Sequence, residues 1–276
     1  MSWLATLDLH YQVDQQRTVL QHAHQGPLRI FKSLYPEGPQ VCHNVLVHPP
    51  GGLVGGDRLA IDVRVGPGAH ALLSTPGATR YYRSEGAQAS QCVQLRLEAG
   101  ARLEWLPLET LAYDGCQGLN ELSFELAEGA ELVAWDVLAL GLPASAQPFR
   151  QGRMRQRMAW PGHWLEQGQL SADDALLLDG PLGLAGQRCL GTLVFASGSP
   201  WPAARREALL DGLRQTIEAH PLAPTCGATA PSEQLIVVRA LAPQVEPVMA
   251  LWQALWAQWR QQAWGLPSTA PRIWQV

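Results

Sequence analysis

A mainly β fold is what this sequence predicts: coiled or stacked β-layers resembling a β-helix, with two α-helices in the C-terminal third. Three observations carry the prediction. Apolar and polar residues alternate with period 2 through much of the first 198 positions, which marks strands with one buried face. A strand–turn–strand unit whose turn ends in Gly-Ala recurs roughly every 30 residues between positions 59 and 140, as stacked units do when none can bury its apolar face alone. Helical spacing enters only after Gly198-Ser199-Pro200. The expected organisation is a single unit, 1–276, mostly β over 1–198 and mixed α/β over 199–276.

Taken in order, Trp3, Leu4, Leu7, Leu9, Tyr11 and Val13 give a first strand. His22-Ala23-His24 has ligand-like spacing but precedes Gly26-Pro27 and reads as a solvated turn. Leu28-Arg29-Ile30-Phe31 is a short strand, followed by a turn at Tyr35-Pro36-Glu37-Gly38-Pro39. Cys42-His43 enters a strand that runs through Val45-Leu46-Val47 into the stretch His48-Pro49-Pro50-Gly51-Gly52-Leu53-Val54-Gly55-Gly56-Asp57. There Pro49 and Pro50 fix φ and remove two backbone donors, while Gly51, Gly52, Gly55 and Gly56 permit positive φ or close backbone approach. Such a loop is a tight surface turn, or else a cradle for an anion or a passage for an ion. It lacks the glycine spacing and Gly-Lys-Ser/Thr ending of nucleotide loops.

The three repeat copies are 63–73, 95–105 and 124–134. Superposing their Gly-Ala pairs aligns Ala71 with Leu103 and Leu132, and Leu73 with Trp105 and Ala134. One step further on the same face, Thr75 aligns with Pro107 and Asp136. Asp136 is then either a strand-end residue or part of a polar lining inside a β-layer, where a carboxylate needs a cation or donors. The same spacing suits an ordinary β-sandwich.

After Gly141-Leu142-Pro143 a polar linker leads to a basic strand bearing Arg153, Arg155 and Arg157. Trp160-Pro161-Gly162-His163-Trp164 is a hairpin turn, with Leu165-Glu166-Gln167 leading out of it. Leu176-Leu177-Leu178-Asp179-Gly180 and Gly191-Thr192-Leu193-Val194-Phe195 read as further strands. Leu209, Leu210, Leu213 and Ile217 predict a helix near 203–219, and Gln234-Leu235-Ile236-Val237-Val238 a strand. Val248, Leu251, Trp252, Leu255, Trp256 and Trp259 share one face of a second helix near 246–262. That tryptophan stripe either packs into the core or faces a partner.

Composition narrows the function classes. The chain is 47% hydrophobic and 16% charged, so it can bury a large core, and its eleven tryptophans leave room for apolar faces kept for other proteins. A formal net charge of −4 argues against a nucleic-acid binder held by phosphate contacts. No apolar run approaches the roughly 20 residues that span a bilayer, and no basic-then-apolar leader opens the sequence, so a soluble cytoplasmic protein is expected. The five cysteines are scattered without a Cys-x-x-Cys pair, which writes neither a zinc knuckle nor a disulfide framework.

No Gly-x-Ser-x-Gly elbow or His-Glu-x-x-His helix is present. Glu104, Glu109, Asp114, Asp136 and Glu166 leave open a carbohydrate-active β-solenoid that uses a carboxylate pair.

The sequence resembles the urease accessory protein UreD (UreH) family. The likeness is carried by Pro27-Leu28-Arg29, Leu34-Tyr35-Pro36-Glu37-Gly38 and the whole loop from His48 to Asp57. It continues through Ser74-Thr75-Pro76-Gly77-Ala78-Thr79, Tyr82-Arg83-Ser84, Leu103-Glu104-Trp105-Leu106-Pro107, Trp135-Asp136 and Pro271-Arg272-Ile273-Trp274. Leu142 departs from the pattern, which expects an arginine there. The resemblance implies a non-enzymatic maturation factor with an unusual coiled β-architecture and two helices. It would bind apo-urease, recruit a UreF-like protein and through it a UreG-like GTPase, and deliver nickel to the urease metallocentre. No tightly bound cofactor is expected, only nickel(II) in transit. A delivery protein needs weak, scattered oxygen donors rather than a tight Cys/His cage, because the ion must also leave. The expected route is lined by Asp57, Asp136 and Glu166, with His48 at its mouth and Gly51, Gly52, Gly55, Gly56 and Thr75 along the loop and column. Trp252, Trp256 and Trp259, with the tail 271–276, are expected to meet the UreF-like partner.

Overall fold

The structure is a computed structural model that describes residues 2–275. Among them the chain forms seventeen strands and three α-helices. The first strands are β1 (Leu4–Asp14), β2 (Arg17–Gln25), β3 (Arg29–Ile30), β4 (Val41–Val47), β5 (Arg58–Val65), β6 (His70–Ser74), β7 (Thr79–Tyr81), β8 (Ala89–Leu97) and β9 (Arg102–Leu106). They are followed by β10 (Thr110–Ala112), β11 (Cys116–Leu126), β12 (Glu131–Leu140), β13 (Gly152–Trp160) and β14 (Trp164–Ser171). After helix α1 (Ala175–Asp179) come β15 (Cys189–Ser197), α2 (Ala203–Glu218), β16 (Cys226–Ser232), β17 (Leu235–Ala242) and α3 (Val245–Trp264).

Two sheets face one another. One has the order β14-β13-β11-β8-β5-β1-β2, and the other the order β16-β17-β15-β12-β9-β6-β4-β3. From β4 to β13 the chain winds between them as a coil, so that β5, β8 and β11 pair in parallel in the first sheet and β6, β9 and β12 in the second. The three Gly-Ala turns are its corners. Gly68, Gly100 and Gly129 take φ of 67°, 65° and 69°, a left-handed conformation that lets the chain turn between sheets without a Cβ clash. The alanines after them are fully buried, so a larger side chain would meet a packed wall. Neighbouring corners are tied by Gly68 N–H to Ala99 O at 3.1 Å and Gly100 N–H to Glu128 O at 3.1 Å. The predicted register holds residue for residue: Ala71 and Leu132 both flank Leu103, and Leu73 and Ala134 both flank Trp105.

β12 is buried on both faces, which is why it reads as a nearly unbroken apolar run. Leu132 and Ala134 point between the sheets, among Leu95, Phe124, Ala71, Leu73 and Leu103. Val133, Trp135 and Val137 point outward into a second core that α2 and α3 cover. The helices therefore form a third layer on the outer face of the longer sheet, at the predicted positions.

Two sequence expectations change. Residues 176–179 lie in helix α1, because the Asp174 carboxylate caps it by accepting the Leu177 N–H at 3.0 Å. A short apolar run carries no period by which to tell helix from strand. His22 and His24 sit in β2 rather than a turn, paired against Leu9 and Leu7 at the rim of the shorter sheet.

Candidate functional site

Strand parity decides where Asp136 points. It follows Leu132 and Ala134 on the inward face of β12, and so opens into a cavity of about 160 Å³ between the sheets. Its Oδ1 accepts the Asn120 amide at 3.0 Å and its Oδ2 accepts that of Gln156. Burial pushes the carboxyl up to about 6 against the Asn120 hydrogen bond, and the negative charge of Glu166 pushes the same way. Glu166, on β14, lines the same cavity, accepts the Thr192 hydroxyl at 2.7 Å and pairs with Arg239. Glu121 is a third carboxylate on the wall, paired with Arg157 at 2.6 Å. The cavity is thus acidic, with two arginines at its margin. Among the described residues no three His, Cys, Asp or Glu side chains gather in metal-holding geometry.

A second cavity, of about 180 Å³, shares the walls Thr79, Gln91, Trp105 and Pro107 with the first, so the two lie side by side between the sheets. His48, Gly51, Gly52 and Thr75 line it. Here the glycine loop is a strap laid along β7: Leu53 N–H donates to Arg80 O at 2.7 Å, and Tyr82 N–H returns to Leu53 O at 2.9 Å. A Cβ at Gly52 would drive into the Tyr82 ring, and one at Gly55 would meet Ser84 Oγ at 2.8 Å, so close approach accounts for both glycines. Gly56, with φ 88°, turns the chain beside Ser2.

Asp57 serves the strap and not the cavities. It is buried, its oxygens accept the Val54 N–H at 3.0 Å and the Trp3 N–H at 3.2 Å, and it lines neither space. Of the expected route residues, Asp136 and Glu166 meet round one cavity, and His48 and Thr75 stand in the next.

The tryptophan stripe is core, which corrects the expectation of an open partner face. Trp252, Trp256 and Trp259 are at most 1% exposed. Trp259 stacks on Phe195 with centroids 4.1 Å apart, and Trp252 lies over Gly191, where a Cβ would come within 2.8 Å of its ring. The 3.6-residue period marks the buried face of α3, and the sheet beneath is what covers it. In the tail, the half-buried Trp274 donates to Ser74 Oγ at 2.8 Å, while Val276 lies outside the described residues.

A buried charge cluster escaped the sequence reading. Glu104, between the apolar neighbours Leu103 and Trp105, points out of the coil and accepts His70 Nε2–H at 2.7 Å, Arg260 Nη1–H at 2.6 Å and the Trp256 indole N–H. Arg260 also pairs with Glu37, which His43 contacts in turn. These partners hold Glu104 down to about 2, overcoming a burial that alone would raise it. Its place on the helix side of the sheet separates it from Asp136, and Asp114 accepts the backbone N–H groups of Arg150 and Gln151 in a turn. Of the five carboxylates considered as a glycosidase pair, only Asp136 and Glu166 share a cavity.

Comparison with known proteins places this geometry in a family. The model of the family described as UreD urease accessory protein matches residues 4–275. A protein of Paracidovorax citrulli named urease accessory protein UreD is 58% identical over 276 residues, covering 100% of both chains. One of Albidiferax ferrireducens with the same name is 57% identical, again over 100% of both. A third so named, from Methylibium petroleiphilum, is 49% identical, with 100% of both chains covered.

Proposed function

This chain belongs to the UreD family of urease accessory proteins, which gives it a role in urease maturation, and from that premise we propose that it delivers nickel without catalysing a reaction. In this reading it works in the cytoplasm, binds apo-urease, and acts with UreF- and UreG-like partners. Nickel(II) is cargo, carried through the space between the sheets. The observation that supports the reading is Asp136: a carboxylate held inside a β-layer, up near 6, among Glu121 and Glu166. A carboxylate drawn out of water needs donors or a cation, and with two amides on it Asp136 is still raised to about 6, so a visiting cation would relieve it further. Oxygen donors already engaged by amides, a hydroxyl and arginines bind a divalent ion weakly, which suits transfer better than storage.

The carbohydrate-enzyme alternative has less support. A cavity of about 160 Å³ falls below the few hundred Å³ of ordinary ligand sites, and amides occupy both Asp136 oxygens.

The test is Asp136→Leu in the co-expressed accessory complex. The complex should assemble, urease should hold less nickel, and the melting temperature should hold or rise. In the native protein, nickel delivery should fall as pH drops through about 6, where Asp136 takes up a proton. Asp136→Asn should be low at every pH. Normal nickel loading by an intact Asp136→Leu complex would leave a scaffold through which no metal passes.

A further inference from the structure

The two adjoining cavities carry opposite charge. The first has Glu121, Asp136 and Glu166 on its wall, whereas no carboxylate lines the second, which Arg80 and His48 face. Arg80 lies in β7, its Nε buried without a hydrogen-bond partner, and among the described residues no carboxylate forms an ion pair with it. The outer guanidinium nitrogen lies against the strap, where a Cβ on Gly51 would stand 3.9 Å away. His48 offers the second orphan: its Nε2 is also buried without a partner. The Trp3 ring stands edge-on to the imidazole with centroids 6.4 Å apart, and the His48 backbone carbonyl takes the Gly51 N–H at 2.9 Å, which closes the turn that carries the side chain.

Unpartnered nitrogens also occur in the core, at Trp201, Trp252 and Trp259, but Arg80 and His48 set two of them on the wall of one cavity. Both side chains are half-buried, and it is Arg80 Nε and His48 Nε2 that lie out of solvent, where polar atoms are normally satisfied. No carboxylate lines this cavity, and Asp57, whose charge reaches His48, is engaged by the Val54 and Trp3 N–H groups of the strap. We propose that this cavity is a binding site for a small free oxyanion of the size of phosphate, held by the Arg80 fork and by His48. The planar guanidinium suits two oxygens of one anion, and the imidazole Nε2 can donate to a third. At about 180 Å³ the space is below that of nucleotide-sized ligands, which sets the class as an inorganic or one-carbon oxyanion.

The site stands on its own chemistry and does not rest on nickel transfer. It bears on that reading in one way. A cation passing beside Arg80 meets like charge, and a bound anion removes it.

His48 gives a direct reporter. Burial holds its imidazole below the usual histidine range, with Asp57 the one nearby charge opposing, so an anion at Nε2 must pull it upward. The experiment follows the His48 ring by NMR as inorganic phosphate is added to the purified chain, or to the chain within its accessory complex, at constant ionic strength in chloride. The expected result is a saturable shift with a raised His48 titration midpoint. Arg80→Gln should lower phosphate affinity about ten- to hundredfold, the size of one charge-assisted contact. His48→Gln, read by calorimetry, should weaken it less. An equal response to chloride, an unmoved His48 signal, or undiminished affinity in Arg80→Gln would overturn the proposal. Because the wild-type titration needs no variant, a misfolded Arg80→Gln leaves it just as open to refutation.

Discussion

Glu104 keeps a full charge in one of the driest places of the molecule, and its stability contribution has a definite sign. Its folded value of about 2 lies below the ordinary 4.5, so the contribution is complete above 4.5 and is lost as pH falls from there through about 2. Glu104→Gln leaves Arg260 and His70 short of a counter-charge and should cost about 3 kcal/mol at neutral pH. Denaturant melts across that window should also show a flatter acid limb in the variant; an unchanged limb would remove Glu104 from the account. Asp136 has the opposite sign: with a folded value near 6 against 3.8, its ionised form opposes folding as pH rises through that interval. The two carboxylates also differ in legibility. Asp136 could be placed from the sequence because the Gly-Ala register carries inward parity along three strands. Glu104 could not, since its partners His70 and Arg260 lie 34 and 156 residues away, and no local pattern encodes such a meeting.

At the scale of elements, α3 is joined to the sheet by aromatic area. Trp259, stacked on Phe195, is the clearest case: Trp259→Ala should lower stability by about 3–5 kcal/mol, whereas Trp259→Phe, which keeps a ring against Phe195 but leaves part of the indole's space empty, should lose clearly less. Equal effects in chemical denaturation would mean that the ring stack is not what holds the helix. Periodicity identified the buried face of α3 but not its cover, so the sequence left core and partner face open. The corners of the coil were legible for a stronger reason. A left-handed glycine followed by a buried alanine is a local requirement, repeated at each of the three turns that carry the chain from the first sheet to the second. Helix α1 had no such signal apart from Asp174. The strap was legible as a rigid loop, but its packing against Tyr82 and Ser84 was not, because that contact depends on the coil having closed.

In the whole molecule the coil leaves two adjoining spaces between the sheets, one acidic and one basic, with exposed residues such as Gln167 and Gly168 at the rim of the first and Pro76 and Gly77 at that of the second. The repeat accounts for the walls, while the third layer of helices closes over the outer face of the longer sheet and the Glu104 cluster upon it. No helix among the described residues is long and apolar enough to cross a membrane. The acidic compartment was foreshadowed by Asp136, and the glycine loop was already open to an anion or an ion. The basic compartment itself was not foreseen, because Arg80 gains meaning only from the carboxylates that fail to reach it.

The pairing of Arg260 with Glu37 spans 223 positions, and that distance has a consequence for how the protein is made. During synthesis the outer sheet face, with Val133, Trp135, Leu193 and Phe195, is laid down before α3 exists to cover it. Until that helix leaves the ribosome, Glu37 and Glu104 wait without their arginine, on an apolar surface open to wrong neighbours. Long-range closure of this kind is slow and exposes the nascent chain to aggregation. A chain ended after residue 244 should therefore bind hydrophobic dyes and precipitate on concentration, and adding 245–275 as a separate peptide during refolding should suppress both. A truncated chain that stays dispersed and dye-free would show that the β-coil matures without its last helix.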